Sequence, residues 1–250
     1  MTESPNQDII KFNFTGRNVL VTGGTSGIGA AIAHAYLAAG ANVTISGTND
    51  SIKAYTPSPP QRSKYIQFNL SSLRDVEIIA SHLPRLDILI NNAGGTTVPE
   101  EFANAVQSNL IGTEMLTTAL KPALARSTMP GGASVINILS SMSFFGSSSF
   151  PGYGAAKAGL HMLTKSLATT YASENIRVNA VAPGPVRTRM TEVYADSPEY
   201  GPSTAARIAL GRWGLPEDIA PPVLFLTSPS ASFITGECLT VSGGYLISEG

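Results

Sequence analysis

Asn18-Val19-Leu20-Val21-Thr22-Gly23-Gly24-Thr25-Ser26-Gly27-Ile28-Gly29 decides the fold of this chain. A short apolar run of strand character passes into a glycine-rich loop, and a helical pattern follows at once from Ile28 to Ala39. In a strand-loop-helix unit of this kind Gly23, Gly27 and Gly29 divide three tasks: a tight turn, close approach of backbone to a pyrophosphate, and tight packing of helix on strand. The helix then presents its unpaired N-terminal amides, the positive end of its dipole, to the phosphates.

Working outward, the same alternation continues to the C-terminus. Candidate strands are Asn18 to Val21, Asn42 to Ser46, Tyr65 to Phe68, Leu86 to Ile90, Ser134 to Leu139, Arg177 to Val181 and Glu237 to Val241. Helical patterns fill most gaps: Ile28 to Ala39, Leu73 to Leu83, Phe102 to Arg126, Tyr153 to Glu174 and Pro216 to Leu226. That rhythm predicts an α/β fold, a Rossmann-type doubly wound parallel sheet of about seven strands with helices on both faces. We expect one dinucleotide-binding and catalytic domain over residues 1–250, with residues 1–15 as a loose N-terminal extension. Thr56-Pro57-Ser58-Pro59-Pro60 holds too much proline for a helix and is expected to be an exposed connector. Residues 185–215 follow a strand's carboxyl end, where open α/β sheets bind ligands, and are expected to form a substrate lid.

Composition narrows the function. The chain is 43% hydrophobic and 13% charged, which suits a packed core, and its formal net charge is −1 without a basic stripe. Nucleic acid and anionic membrane are therefore not expected partners. The single cysteine, Cys238, forms no intrachain disulfide, and His34, His82 and His161 show no metal-ligand spacing, so no metal is expected. The polar opening is unlike a signal peptide and no apolar run reaches membrane-spanning length, so a cytoplasmic location is expected.

Tyr153 and Lys157 stand four residues apart within a helical pattern, so an ammonium lies beside a phenol on one face. Asn91-Asn92-Ala93-Gly94 follows the fourth strand at its carboxyl end, where Asn91, Ala93 and Gly94 would border the adenosine side of the crevice.

With these motifs in order, the chain resembles a short-chain dehydrogenase/reductase of the roughly 250-residue type, from Gly16 to Gly244. The resemblance extends to Asn109, Ser140, the run Asn179-Ala180-Val181-Ala182-Pro183-Gly184 with Thr188, and Gly211-Arg212-Trp213-Gly214-Leu215-Pro216-Glu217-Asp218-Ile219-Ala220. It implies a nicotinamide-dependent oxidoreductase that moves a hydride between cofactor and a ketone or secondary alcohol, with Tyr153 as acid/base. Ser140 would fix the carbonyl, Lys157 would hold the nicotinamide ribose and lower the phenol's pKa, and Asn109 would anchor a relay water behind the lysine. The family keeps its serine about thirteen residues before the tyrosine, which selects Ser140; Ser141 is the alternative. Pro183, Gly184, the Val186 backbone and Thr188 would hold the carboxamide.

At the adenosine end the resemblance places Gly47 where relatives that use NAD usually carry an aspartate. Without that carboxylate the main bar to a 2′-phosphate is gone, and NADP(H) is favoured with NAD(H) as the alternative. No arginine stands at Thr48, and Ser26 replaces a cation, so Ser26, Thr48 and Asn49 must serve as neutral donors. Thr25, Ile28 and Leu70 complete the expected cofactor contacts, and Asn69 would face the adenine. Ser141, Met142, Phe144, Phe145, Met190 and Tyr194 are expected to line the substrate pocket, which suits a small, largely apolar carbonyl or alcohol. The stretch from Gly94 to Asn109 is shorter than in many relatives and is expected to open the site. Ser242 replaces an aspartate near subunit contacts, while two long amphipathic helices favour a homodimer or homotetramer.

Two other functions fit a Rossmann chain. A non-catalytic nucleotide sensor needs the phosphate loop but not the set Asn109, Ser140, Tyr153 and Lys157. A sugar-nucleotide epimerase or dehydratase usually carries an additional substrate region beyond the last strand.

Overall fold

The computed structural model describes residues 11–245 and 247. Seven parallel strands form one sheet in the order β3-β2-β1-β4-β5-β6-β7. They are β1 (Asn18–Val21), β2 (Asn42–Gly47), β3 (Lys64–Gln67), β4 (Ile88–Asn91), β5 (Ala133–Ile138), β6 (Ile176–Pro183) and β7 (Cys238–Val241). The order reverses between β1 and β4, and that switch point is where an open α/β sheet leaves a ligand crevice.

Side-chain alternation along the strands feeds two cores. Val19, Val21, Ile45, Ile88 and Ile136 face one layer, made by α1 (Gly27–Ala38) and α8 (Pro216–Thr227). Leu20, Leu89, Val135 and Val178 face the other, made by α2 (Leu73–His82), α4 (Gly112–Leu124) and α5 (Pro151–Tyr171). The period of two along each strand produces this division.

Four expectations change. The Phe102 to Arg126 helix is broken into α3 (Phe102–Val106), a π turn (Gln107–Ile111) and α4. Asn109 causes it locally, because its amide Nδ2 donates to the Ala105 carbonyl at 2.9 Å and competes for the bond a regular helix would make there. Second, residues 185–215 contain α6 (Glu192–Ala195) and α7 (Tyr200–Ala206), tied to their base by a bidentate Arg187–Asp196 pair at 2.8 and 2.6 Å. Third, Pro59 and Pro60 are buried, so the 56–60 segment is a packed element and not an exposed connector; a 3₁₀ turn (Ile52–Ala54) precedes it. Fourth, residues 1–10 of the expected N-terminal extension lie outside the described residues, but Phe14 sits in the core, edge-on to Tyr36 at 5.0 Å, so the chain is anchored from there.

Candidate active site

The phosphate loop joins β1 to α1. Gly23 (φ +62°) and Gly27 (φ +52°) take left-handed backbone, and a Cβ at Gly23 would lie 3.0 Å from the Ala93 Cα. Ser26 precedes α1 without a side-chain cap, so the first-turn amides have no internal partner and fit a bound phosphate. The loop is held from beneath by Asn92, whose Nδ2 donates to the carbonyls of Thr22 and Gly23 at 3.0 and 3.2 Å. Ala93 N donates to Thr22 Oγ1 at 3.0 Å. Asn91 does something else. Its amide is buried and donates to Thr117 Oγ1 and Asn137 Oδ1, both at 2.9 Å, so its side chain is committed to the interior between β4, β5 and α4 and not to the crevice. Sequence reasoning took the first asparagine of the pair, whereas strand alternation turns the second toward the loop.

Gly94 (φ +143°) lies between two expected catalytic groups: a Cβ there would stand 2.4 Å from Asn109 Oδ1 and 3.7 Å from Lys157 Nζ. Asn109 is buried and grips the next residue, accepting from Gly95 N at 3.0 Å and donating to Gly95 O at 2.9 Å. The π turn and the β4 loop thus fix each other.

On α5, Tyr153 and Lys157 share a face, with Lys157 Nζ 5.5 Å from the centre of the Tyr153 ring. Lys157 is buried and donates to the Ile138 carbonyl at 2.9 Å; burial pushes its ammonium down from the usual lysine value to about 8. Burial also raises the Tyr153 phenol, opposed by its hydrogen bond with Ser140. The ligand-free phenol therefore holds its proton, the state an acid needs. Ser140 ends β5 by capping a short 3₁₀ turn, its Oγ accepting from Met142 N at 3.2 Å. Ser141 is buried. Of the two serines, Ser140 is the one bonded to Tyr153.

A residue that sequence reading missed completes this end. Glu100 accepts from Gly152 N at 2.7 Å and from Tyr153 N at 2.9 Å, capping α5 directly at the tyrosine. It lies in the stretch expected to leave the site open, and that stretch instead ties down the helix carrying Tyr153.

Beyond β6, Gly184 packs against Ser242, since a Cβ there would lie 2.7 Å from the Ser242 Cα, and its N–H donates to Val241 O at 3.0 Å. Val186 pairs with Gly214, and Thr188 lies against the phosphate loop, with its Cγ2 3.4 Å from a Cβ at Gly27. At the adenosine end Gly47 closes β2, Gln67 Nε2 donates to Thr48 O at 3.0 Å, and Tyr55 Oη accepts from Asn49 N at 2.9 Å. Asn69 is exposed, with its Oδ1 accepting from Ser71 N at 3.0 Å, and Leu70 is buried against Gly112.

The expected pocket residues divide. Phe144, Phe145, Met190 and Tyr194 are exposed. Phe144 packs edge-on against His161 of α5 at 5.3 Å, and Phe145 on Tyr245 at 6.1 Å. The Met190 methyl lies 2.6 Å from a Cβ at Gly95, so residues 185–215 touch the loop after β4.

A family model described as enoyl-(acyl carrier protein) reductase matches residues 23–246. A solved structure described as a short chain dehydrogenase/reductase family protein is 36% identical with a TM-score of 0.81, covering 94% of this chain and 100% of its own. The chain belongs to the short-chain dehydrogenase/reductase family. Among relatives, 3-oxoacyl-(acyl-carrier-protein) reductase FabG of Aquifex aeolicus is 36% identical over 252 residues, 94% of this chain and 99% of the relative. The Pseudomonas aeruginosa RhlG/NADP active-site complex is 34% identical with a TM-score of 0.83, covering 95% of this chain and 99% of that one. As a member of the short-chain dehydrogenase/reductase family this protein is an oxidoreductase, and the non-catalytic sensor is set aside.

Proposed function

We propose that this protein is an NADP(H)-dependent carbonyl reductase acting on a 3-oxoacyl thioester. The observation that carries the reading is the Tyr153 site: a phenol kept protonated by burial, bonded to Ser140, with the Lys157 ammonium over its ring. A relative solved with NADP and relatives named for 3-oxoacyl reduction support the choice of cofactor and substrate. They shift the substrate from the small apolar ketone expected from sequence to an acyl thioester, whose chain the exposed Phe144, Phe145, Met190 and Tyr194 suit.

The nicotinamide supplies the hydride when bound. Gly23, Ser26, Gly27 and the α1 N-terminus would hold the diphosphate, and Lys157 and Thr188 the nicotinamide side. Ser140 donates a hydrogen bond to the substrate carbonyl and orients it toward Tyr153. Tyr153 Oη gives its proton to the oxygen as negative charge develops, and Lys157 stabilises the phenolate left behind. Asn109 keeps Gly94 and Gly95 in place behind the lysine. Residues 185–215 act as the lid, with Met190 over Gly95.

We also place the protein in the cytosol as a homo-oligomer; no helix among the described residues is long and apolar enough to cross a membrane. Exposed Ile111 and Met162 on the α4/α5 side, and Phe233 and Leu239 beside β7, offer two apolar faces for self-association. Absorbance at 340 nm with NADPH and acetoacetyl thioester tests the reaction. Turnover is expected; its absence, with turnover of simple cyclic ketones instead, would return the substrate to the small apolar class.

A further inference from the structure

The segment between β2 and β3 does more than connect. Ser51 caps its 3₁₀ turn, with Lys53 N donating to Ser51 Oγ at 3.2 Å, and buried Pro59 and Pro60 pin its far end. Between them Tyr55 turns back onto the end of β2. A Cβ placed on Gly47 would stand 2.2 Å from Tyr55 Oη and 2.9 Å from Thr25 Cγ2. The phenol oxygen therefore occupies the space that a side chain at position 47 would need, and only glycine leaves it there.

Proton accounting shows what this oxygen can do. Tyr65 of β3 donates its proton to the Asn49 carbonyl. Tyr55 Oη accepts the Asn49 N–H at 2.9 Å, so its own proton is directed at Tyr65 Oη, 3.3 Å away, a long bond for two hydroxyls. Rotation about one C–O bond releases that proton to a ligand at small cost. The side chains of Thr48 and Thr25 are further partners of the same phenol. Burial opposes its ionisation, but hydrogen bonds from Tyr65 and the Asn49 amide outweigh burial and hold Tyr55 below the ordinary phenol range, which makes it a stronger donor. The Tyr55 and Tyr65 rings meet edge-on, 6.1 Å apart, so the pair is braced from both strands.

We infer that Tyr55 reads the 2′ substituent of the adenosine ribose, donating its phenolic hydrogen to a 2′-phosphate and forming with Thr25, Thr48 and the Asn49 amide an uncharged phosphate site. The inference rests on the reading of the protein as NADP(H)-dependent. It assigns the discrimination to a residue eight positions beyond β2, in a segment whose sequence gave no hint of a ligand. Uncharged donors hold a phosphate without a counter-charge, so the preference they create is modest and depends on each hydrogen bond.

Calorimetric titration of the ligand-free protein with NADP⁺, NAD⁺ and 2′,5′-ADP decides it. Tyr55→Phe keeps the ring and removes the hydroxyl; NADP⁺ and 2′,5′-ADP should bind about tenfold more weakly, and NAD⁺ within about twofold of wild type. Gly47→Ala, which adds one methyl and no charge, should displace the phenol and reproduce the selective loss. A Tyr55→Phe variant that binds NADP⁺ as tightly as wild type, or that loses NAD⁺ and NADP⁺ equally, overturns the assignment while leaving the reductase reading in place. Wild type that binds neither dinucleotide overturns both.

Discussion

Glu100 spans the first two amides of the catalytic helix, one carboxylate oxygen on Gly152 N at 2.7 Å and the other on Tyr153 N at 2.9 Å. A carboxylate at a helix N-terminus satisfies orphan donors and interacts favourably with the helix dipole. Because the cap sits at Tyr153 itself, it also sets where the phenol stands. Glu100→Ala should cost about 1 kcal/mol of stability, the usual effect of removing a cap, and lower kcat several-fold with little change in KM for NADPH. Glu100→Gln, which keeps one acceptor oxygen, should recover part of both. Thermal melts and steady-state kinetics on the two variants check this; an unchanged kcat in Glu100→Ala would reduce Glu100 to a structural cap.

Tyr153→Phe should bind NADP⁺ normally and lose at least about 10²-fold in turnover, because only the acid is removed. Ser140→Ala should be nearly as damaging, whereas Ser141→Ala should be mild, since Ser140 is the hydroxyl bonded to Tyr153. Reversed serine effects in the 340 nm assay would overturn the Ser140 assignment.

Lys157 sets catalysis against stability. Its folded pKa of about 8 lies below the ordinary lysine value of 10.5, so the unfolded chain binds this proton more tightly than the folded one. From this group alone, stability therefore rises as pH rises from about 8 to 10.5, and below 8 the buried charge carries its full cost, roughly 3 kcal/mol at 1.36 kcal/mol per unit. Loss of the bond to Ile138 O offsets about 1 kcal/mol of what removing the charge gains. Lys157→Met should accordingly be inactive yet melt above wild type at pH 7, with the gap closing toward pH 10. Calorimetric melts at both pH values measure the effect, and a variant that melts below wild type at pH 7 would contradict it.

Gly47→Asp alone should disrupt more than cofactor choice, because its Cβ meets Tyr55 Oη at 2.2 Å. The double change Gly47→Asp/Tyr55→Ala gives the carboxylate room and should turn the preference to NAD(H), by ribose hydroxyl acceptance and repulsion of a 2′-phosphate. Parallel titrations of both cofactors into single and double variants test it; a double variant still favouring NADP⁺ would show that position 47 does not control the choice.

Strands, switch point and phosphate loop were legible because each follows from short-range chemistry: β-branched runs, glycines at positive φ, and a helix start. Tyr153, Lys157 and Ser140 were legible because two of them share a helix face and the third ends a strand at a fixed distance along the chain. Asn92, Glu100 and Tyr55 were not. Asn91 and Asn92 are identical in type and only strand alternation separates them, turning Asn91 toward Thr117 and Asn137 and Asn92 toward the loop. Glu100 meets Tyr153 across 53 residues, and no periodicity encodes a contact between two loops at that separation. Tyr55 was hidden by its neighbours, since prolines announce a turn without saying which side chain the turn returns to the sheet.

The π turn at Gln107–Ile111 gives this helix a phase as well as a position. It holds one residue more than a regular α path, and each residue of an α-helix advances the side-chain direction by about 100°. Deleting a single residue within it would leave a smooth helix and rotate Leu116, Leu120 and Leu124 out of the core they now fill. Substitution can be absorbed along much of α4, but a change of length here cannot be absorbed locally, because the core downstream is in register with the bulge that holds Asn109 against Gly95.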